Sequence, residues 1–218
     1  MAKKKKPRID WLNHSLEFFV VIIGILIAFQ LNTCASKKSQ QELVEIHLQQ
    51  LKKETEINTR TFQEAITYGD IQLKKLDTLL HCIQPPIQLE KANRIALELL
   101  NIGGVYIRKN AYTTLIESGD MRFINDYSVK NNIVNLYEFY TWVEAFDSIS
   151  NQLYTTDYYP YLKNNFDLHE GRLQAKEIYQ TKRFKNIIAA YRRTSGNRLA
   201  KYKECMLEMN KFLKLMTP

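Results

Sequence analysis

The side chains able to do chemistry in this chain are scattered, and their spacing narrows what they can do. His14, His47, His81 and His169 stand apart, with no H-E-x-x-H pair and no i, i+4 partner to build a helical metal site. Cys34, Cys82 and Cys205 include no C-x-x-C pair, which removes zinc-ribbon and thioredoxin-like chemistry. In an oxidising compartment Cys82 and Cys205 could pair within the fold and leave Cys34 for an intermolecular bridge; the alternative is three unreactive thiols. Gly103-Gly104 lacks the Gly-Lys-Ser/Thr of a phosphate loop, and neither G-x-G-x-x-G nor G-x-S-x-G occurs. The pair reads instead as a helix end with a left-handed glycine. Ser118-Gly119-Asp120 has the residue types of a nucleophile turn, yet Gly119 as a helix cap accounts for it without chemistry. The expectation is therefore no catalytic residue, no metal, no cofactor and no enzyme activity.

Two further groups invite a binding role. Tyr154, Tyr158, Tyr159 and Tyr161 could form a ligand platform, although tyrosines at helical spacing usually line the edge of a core. Charge is uneven: seven Lys/Arg face two Asp/Glu over residues 1–38, twelve face eighteen over 39–171, and twelve face three over 172–218. Lys182, Arg183, Lys185, Arg192, Arg193 and Arg198 make the last block a candidate contact for an anionic surface, lipid or envelope polymer, or for the acidic middle of the chain. The same residues interleave with Tyr179, Phe184, Tyr191 and Tyr202, but outside the cytoplasm they would not meet nucleic acid, and none is expected as a partner.

The elements that must position these residues are helices. Seven Gly and five Pro in 218 residues are few for a turn-rich β fold. From Gln41 to Ile83 nothing but Gly69 interrupts a helical pattern. Val44, Leu48, Leu51, Thr55, Asn58, Phe62, Ala65, Gly69, Gln72, Leu76, Leu79 and Ile83 follow the four-and-three steps of a packing seam. Thr55, Asn58 and Gln72 break its apolar character, which predicts a partly exposed membrane-proximal stalk over 34–61 and a packed bundle over 62–218. Gln84-Pro85-Pro86 ends this helix. Further helices are predicted from Leu89 to Asn101, from a cap at Asn110 to Ser118, from a cap at Ser128 to about Tyr158 before Pro160, and from about Leu173 to Leu215 with a break near Gly196. In the fourth, Ile133, Leu136, Tyr137, Tyr140, Val143, Phe146 and Ile149 are expected on one buried face.

Ahead of these lies the strongest signal. Lys3 to Lys6 and Arg8 form a basic tail over 1–10, followed by an unbroken apolar run from Phe18 to Phe29. From Trp11, an aromatic suited to the headgroup belt, to Leu31, the stretch is long enough to span a bilayer, and an anchor is expected over 11–33. The charge bias puts the amino terminus in the cytoplasm and the remainder in the periplasm. A cleavable signal peptide, or a lipoprotein acylated at Cys34, uses the same residues. Gly24 and Ala28 form one small-xxx-small pair that permits close helix contact.

The stretch FFVVIIGILIAFQLN, Phe18 to Asn32, resembles the amino-terminal span of an uncharacterised family of bacterial single-span membrane proteins, whose signature reads V-I-G-I-L-I-A-L-Q-I-N-N-W. Gly24, Ile25, Leu26, Ile27, Ala28, Gln30 and Asn32 match in place, and Cys34 stands where the signature has its final Trp. A second similarity runs from Tyr112 to Tyr137 and includes Leu115 to Gly119. The resemblance implies a retained anchor and supplies no activity. The expected fold is all-α: one transmembrane helix, a long stalk-like helix and an extracytoplasmic helical bundle. The expected function is that of a membrane-anchored interaction or scaffold protein of the bacterial cell envelope, in contact with the lipid bilayer and with a protein partner or a second copy of itself. The alternative is an extracytoplasmic sensory or ligand-binding module that signals through a partner.

Overall fold

The computed structural model describes the backbone of residues 11–173 and 176–216, and their side chains apart from 12–14 and 172–173. The basic tail and the His14 side chain lie outside the described residues. With no Pro between Trp11 and Cys82, one helix, α1 (Trp11–Cys82), runs unbroken for 72 residues. At 1.5 Å per residue that is about 108 Å. Its first part is uncovered: Phe18 is 63% exposed, and nothing lies within 4 Å of a Cβ built on Gly24. By length and composition this stretch is apolar enough to cross a membrane, and none of it is buried.

The rest of α1 is one wall of an all-α bundle. Beyond its end, α2 (Leu89–Glu98) folds back over the distal part of α1. The chain then descends as an irregular segment to α3 (Asn110–Glu117) and a 3-10 turn (Asp120–Phe123), both packed on the proximal part of α1. It climbs again as α4 (Tyr127–Leu153), a π turn (Tyr154–Tyr158) and α5 (Tyr159–Asn165). A two-residue hairpin pairs β1 (Phe166–Asp167) with β2 (Arg172–Leu173), Phe166 opposite Leu173. A 3-10 turn (Lys176–Gln180) leads to α6 (Lys182–Leu215), which descends between α1 and α4. Antiparallel pairing of α6 with α1 is fixed by Arg192 on Asp77, Lys203 Nζ 3.0 Å from Asp70, and Lys52 Nζ 3.5 Å from the Met216 carbonyl.

Two apolar clusters fill the interior. The distal one joins Leu76, Leu79 and Ile83 to Ala92, Ala96, Tyr158, Leu162, Phe184 and Ile188. The proximal one joins Leu51 and Phe62 to Leu115, Ile133, Leu136, Tyr140, Val143, Met209 and Phe212.

Several sequence expectations need correction. The bundle does not start at residue 62: Leu51, Thr55 and Asn58, within the expected stalk over 34–61, are fully buried, so packing begins well before Phe62. The polar seam residues are interior because each has a hydrogen-bond partner there, which removes the penalty that the stalk reading assumed. Asp126, not Ser128, caps α4, accepting from the Ser128 and Val129 amides at 2.8 and 3.2 Å. Asn110 is the first residue of α3 and Lys109 precedes it as the cap. The helix does not stop at Pro160, because the wider π turn shifts the hydrogen-bond register just before a residue with no N–H to donate. Gly196 does not interrupt α6, and α6 begins only at Lys182: Leu173 belongs to the hairpin and Lys176–Gln180 to a 3-10 turn. Phe146 is half-buried and Ile149 exposed, so neither belongs to the buried face of α4.

The cysteines are also resolved. Cys82 and Cys205 are both buried and free, and they sit in different clusters. Cys205 lies below the Lys203–Asp70 pair and Cys82 above the Arg192–Asp77 pair, so about a dozen residues of helix, some 18 Å, separate them. No disulfide spans that distance. Burial pushes the Cys205 thiol up to about 12, which suppresses the reactive thiolate. Cys34 is exposed. Full-length protein prepared without reductant is expected to take up one maleimide while folded and three after denaturation; uptake of a single equivalent in denaturant would reveal the bridge.

Candidate functional site

The segment between α2 and α3 runs along the bundle without helical partners, Ile107 turned inward and Ile102 and Tyr106 outward, and polar side chains line its inner side. Such a segment must find other acceptors and donors for its amides and carbonyls. Side chains from three helices supply them. Asn58 on α1 acts as a bidentate clamp, its Oδ1 accepting from the Arg108 amide at 3.0 Å and its Nδ2 donating to the Arg108 carbonyl at 2.9 Å. Glu54, one turn below, accepts from the Ala111 amide at 2.9 Å and from the Tyr137 hydroxyl at 2.6 Å. Tyr68 donates to the Asn101 carbonyl and Tyr154 to the Leu100 carbonyl at 2.8 Å. Gly103 passes so close to the Tyr68 ring that a Cβ would meet it at 2.2 Å. Neither Gly103 nor Gly104 has positive φ, so neither is the helix cap expected of the pair; only Gly103 serves close approach, and α2 has already ended at Glu98. Gly119, at φ 73°, is the left-handed residue after α3.

Arg198 organises the centre of this region. It is 3% exposed, donates from Nη1 to the Gly103 carbonyl at 2.8 Å and from Nη2 to Gln72 Oε1 at 2.7 Å, and its Nε is 3.9 Å from Asp147. Gln72 passes the chain on, donating to the Tyr191 hydroxyl at 2.8 Å. Asp147 accepts from the Tyr202 hydroxyl and from the Val105 amide at 3.4 Å. Burial raises the Asp147 carboxyl above its ordinary value, against the opposing pull of Tyr202 and Arg198. Burial likewise lifts Tyr202 and Tyr137, and the neighbouring carboxylates Asp147 and Glu54 add to it. These phenols stay protonated as donors. Arg198 is therefore an internal cross-link and not a contact for an anionic surface, which corrects its place in the basic group.

A Ser, a His and an Asp do meet, at the base of the bundle. His47 Nε2 lies 3.0 Å from Asp120 Oδ2, and the Asp120 amide is 3.3 Å from Ser118 Oγ. Hydrogen bonding to Ser118 and then to His47 pulls the Asp120 carboxyl below its ordinary value. The connectivity is wrong for acyl transfer, which needs His between Asp and Ser. Here the carboxylate is in the middle, and His47 Nδ1 is buried with no partner. Among the described residues no group of three His, Cys, Asp or Glu side chains is placed to hold a metal. The tyrosines of the supposed ligand platform belong largely to the core: Tyr158 donates to the Ala96 carbonyl at 2.6 Å and Tyr161 to the Ile178 carbonyl at 3.1 Å, while Tyr159 is exposed.

The surface presents two features. Lys182, Arg183 and Arg193 are exposed and Lys185 half-buried, while Arg192 is paired with Asp77. Lys182, Arg183 and Lys185 open α6 at the end of the bundle farthest from the apolar run, about 75 Å along α1 from Leu31. A feature not read from the sequence is a second apolar row on α4. Phe139, Trp142, Phe146 and Ile149 repeat at three and four residues on its outer side, with Trp142 58% and Ile149 52% exposed. Lys201 Nζ on α6 lies 5.3 Å from the Trp142 ring centroid. Set against known protein families, curated proteins and solved structures, the chain matches none.

Replacing Arg198 by Met strands the Asp147 carboxylate, Gln72 and the Gly103 carbonyl, and is expected to cost about 3 kcal/mol. Arg192→Met, which breaks a half-exposed pair, is expected to cost about 1 kcal/mol or less. Urea unfolding of the full chain in detergent micelles measures both; equal losses would contradict a buried cross-link.

Proposed function

We propose that this chain is a membrane-anchored interaction or scaffold protein of the bacterial cell envelope, held by Trp11 to Leu31 and carrying its bundle on the periplasmic side. The single observation that carries the interaction reading is the uncovered aromatic row on α4. Monomeric soluble surfaces seldom carry a row such as Phe139, Trp142, Phe146 and Ile149 in which two members are half-buried and Trp142 and Ile149 more than half exposed, and such patches mark protein contacts. Support for the anchor comes from the uncovered apolar stretch at the start of α1 and from its resemblance to the spans of single-span bacterial membrane proteins. Gly24 and Ala28 leave one face of that stretch open to a second helix. A bundle whose buried polar groups, His47 Nδ1 and Ser195 Oγ apart, are engaged internally favours a rigid docking body over a ligand-gated sensor.

Two measurements test this reading. A reporter active only in the periplasm, fused after Pro218, is expected to be active, and its cytoplasmic counterpart silent. In mild detergent the full chain is expected to self-associate or to retain a partner protein. Trp142→Glu with Ile149→Glu should weaken that association about 30-fold or more, as removal of a central interface anchor does. The melting temperature should barely move, since both sites are exposed. A monomer that retains nothing would overturn the interaction reading.

A further inference from the structure

The base of the bundle comes down close to the point where the apolar run ends. We infer that the crevice between α1 and the Asp120–Phe123 turn seats the phosphate of an anionic phospholipid headgroup in the leaflet from which α1 emerges. This rests on the anchor reading above, and on neither the orientation of the chain nor the α4 surface. The crevice holds about 390 Å³ and is lined by Lys37, Gln40, Gln41, Arg122, Phe123 and Asn125.

Distance along a continuous helix sets the occupant. Lys37 stands six residues beyond Leu31 and Gln41 ten, which is about 9 and 15 Å of rise. The polar layer of a bilayer extends roughly 5–8 Å past the hydrocarbon on each side. The mouth of the crevice therefore opens just beyond the headgroups, and only side chains that extend downward, as the Lys37 ammonium can, bring its cations to the phosphate level.

The lining has the chemistry of a phosphate ester. Lys37 and Arg122 supply positive charge, and among the described residues neither makes an ion pair. Gln40, Gln41 and Asn125 bring amide donors. Arg122 lies with its guanidinium 4.6 Å from the Phe123 ring centroid, which leaves its N–H edge free to form a fork to phosphate oxygens. Asp120 bonds His47 and its charge also acts on Arg122, offsetting part of that cation, while Asp126 caps α4. Tyr127, 73% exposed, follows directly and suits the interfacial belt. The His47–Asp120 contact pins the turn against α1 and so fixes the width of the crevice.

The test is native mass spectrometry of the full chain in neutral detergent, titrated with phosphatidylglycerol and, separately, with phosphatidylcholine. The wild type is expected to retain phosphatidylglycerol in preference. Lys37→Gln with Arg122→Gln should reduce that preference about 20-fold, each charge near an anionic surface being worth about fivefold. Lys37→Gln alone, on an exposed helix face where folding is not at stake, should give about a fivefold loss. The proposal is overturned if the wild type shows no preference, if the variants keep it, or if Lys38→Gln, outside the crevice, matches the loss from Lys37→Gln. Displacement by equimolar glycerol 3-phosphate would also overturn it, by assigning the site to a soluble phosphate. Carbonate extraction of membranes separates failure of the anchor from failure of the site: release of the chain sinks the anchor, whereas the lipid preference is read on purified protein.

Discussion

One stretch of non-helical backbone, half-buried against three helices, determines much of this structure. Between α2 and α3 the chain cannot satisfy its own amides and carbonyls, and leaving them unpaired in the interior would cost roughly 1–3 kcal/mol each. Asn58, Glu54, Tyr68, Arg198, Asp147 and Tyr154 are placed to meet that need. Because they come from α1, α4, the π turn and α6, the same hydrogen bonds fix the register of these elements against one another. Arg198 then holds Gln72 and the Gly103 carbonyl at once and approaches Asp147, so α1, α4 and α6 share one cation. Apolar packing above and below supplies stability but little register, since leucines and tyrosines slide more readily than a bidentate amide clamp.

The interior so built is a rigid body on a rod. A single helix of 72 residues carries the uncovered apolar run at one end and a wall of the bundle at the other, with no Pro to bend it. The outward-facing features then sort by height along that rod. The Lys37–Arg122 crevice lies at the foot, the aromatic row of α4 at mid-height, and Lys182, Arg183 and Lys185 at the far end. In a membrane-anchored protein, each faces a different surrounding.

Much of the helical architecture is legible from periodicity and breakers. Pro85-Pro86 ends α1, Gly119 closes α3, and the four-and-three seam from Val44 to Ile83 is the packed face. The centre is not legible, because a polar residue at a seam position reads as a defect unless its partner is known. Asn58 pairs with Arg108 fifty residues away and Gln72 with Arg198 more than a hundred away, and no local pattern announces such contacts. Arg198 misleads for the same reason: counted by charge it joins a basic surface, whereas its neighbours put it inside. The α4 row is present in the spacing of Phe139, Trp142, Phe146 and Ile149, but two of these read as part of the adjoining buried face, one helical step away. Gly103 reads as a helix stop in any sequence, and only the Tyr68 ring against it reveals the need for a missing Cβ.

The most direct measurement is hydrogen exchange at the Val105, Arg108 and Ala111 amides in the full-length protein. These three donate to Asp147, Asn58 and Glu54. If this clamped segment organises the bundle, they exchange only with global unfolding, as slowly as the core of α1 around Leu51 and Phe62, although they lie outside any helix interior. Exchange within seconds, at the rate of a free peptide, would contradict it and leave the fold to apolar packing alone.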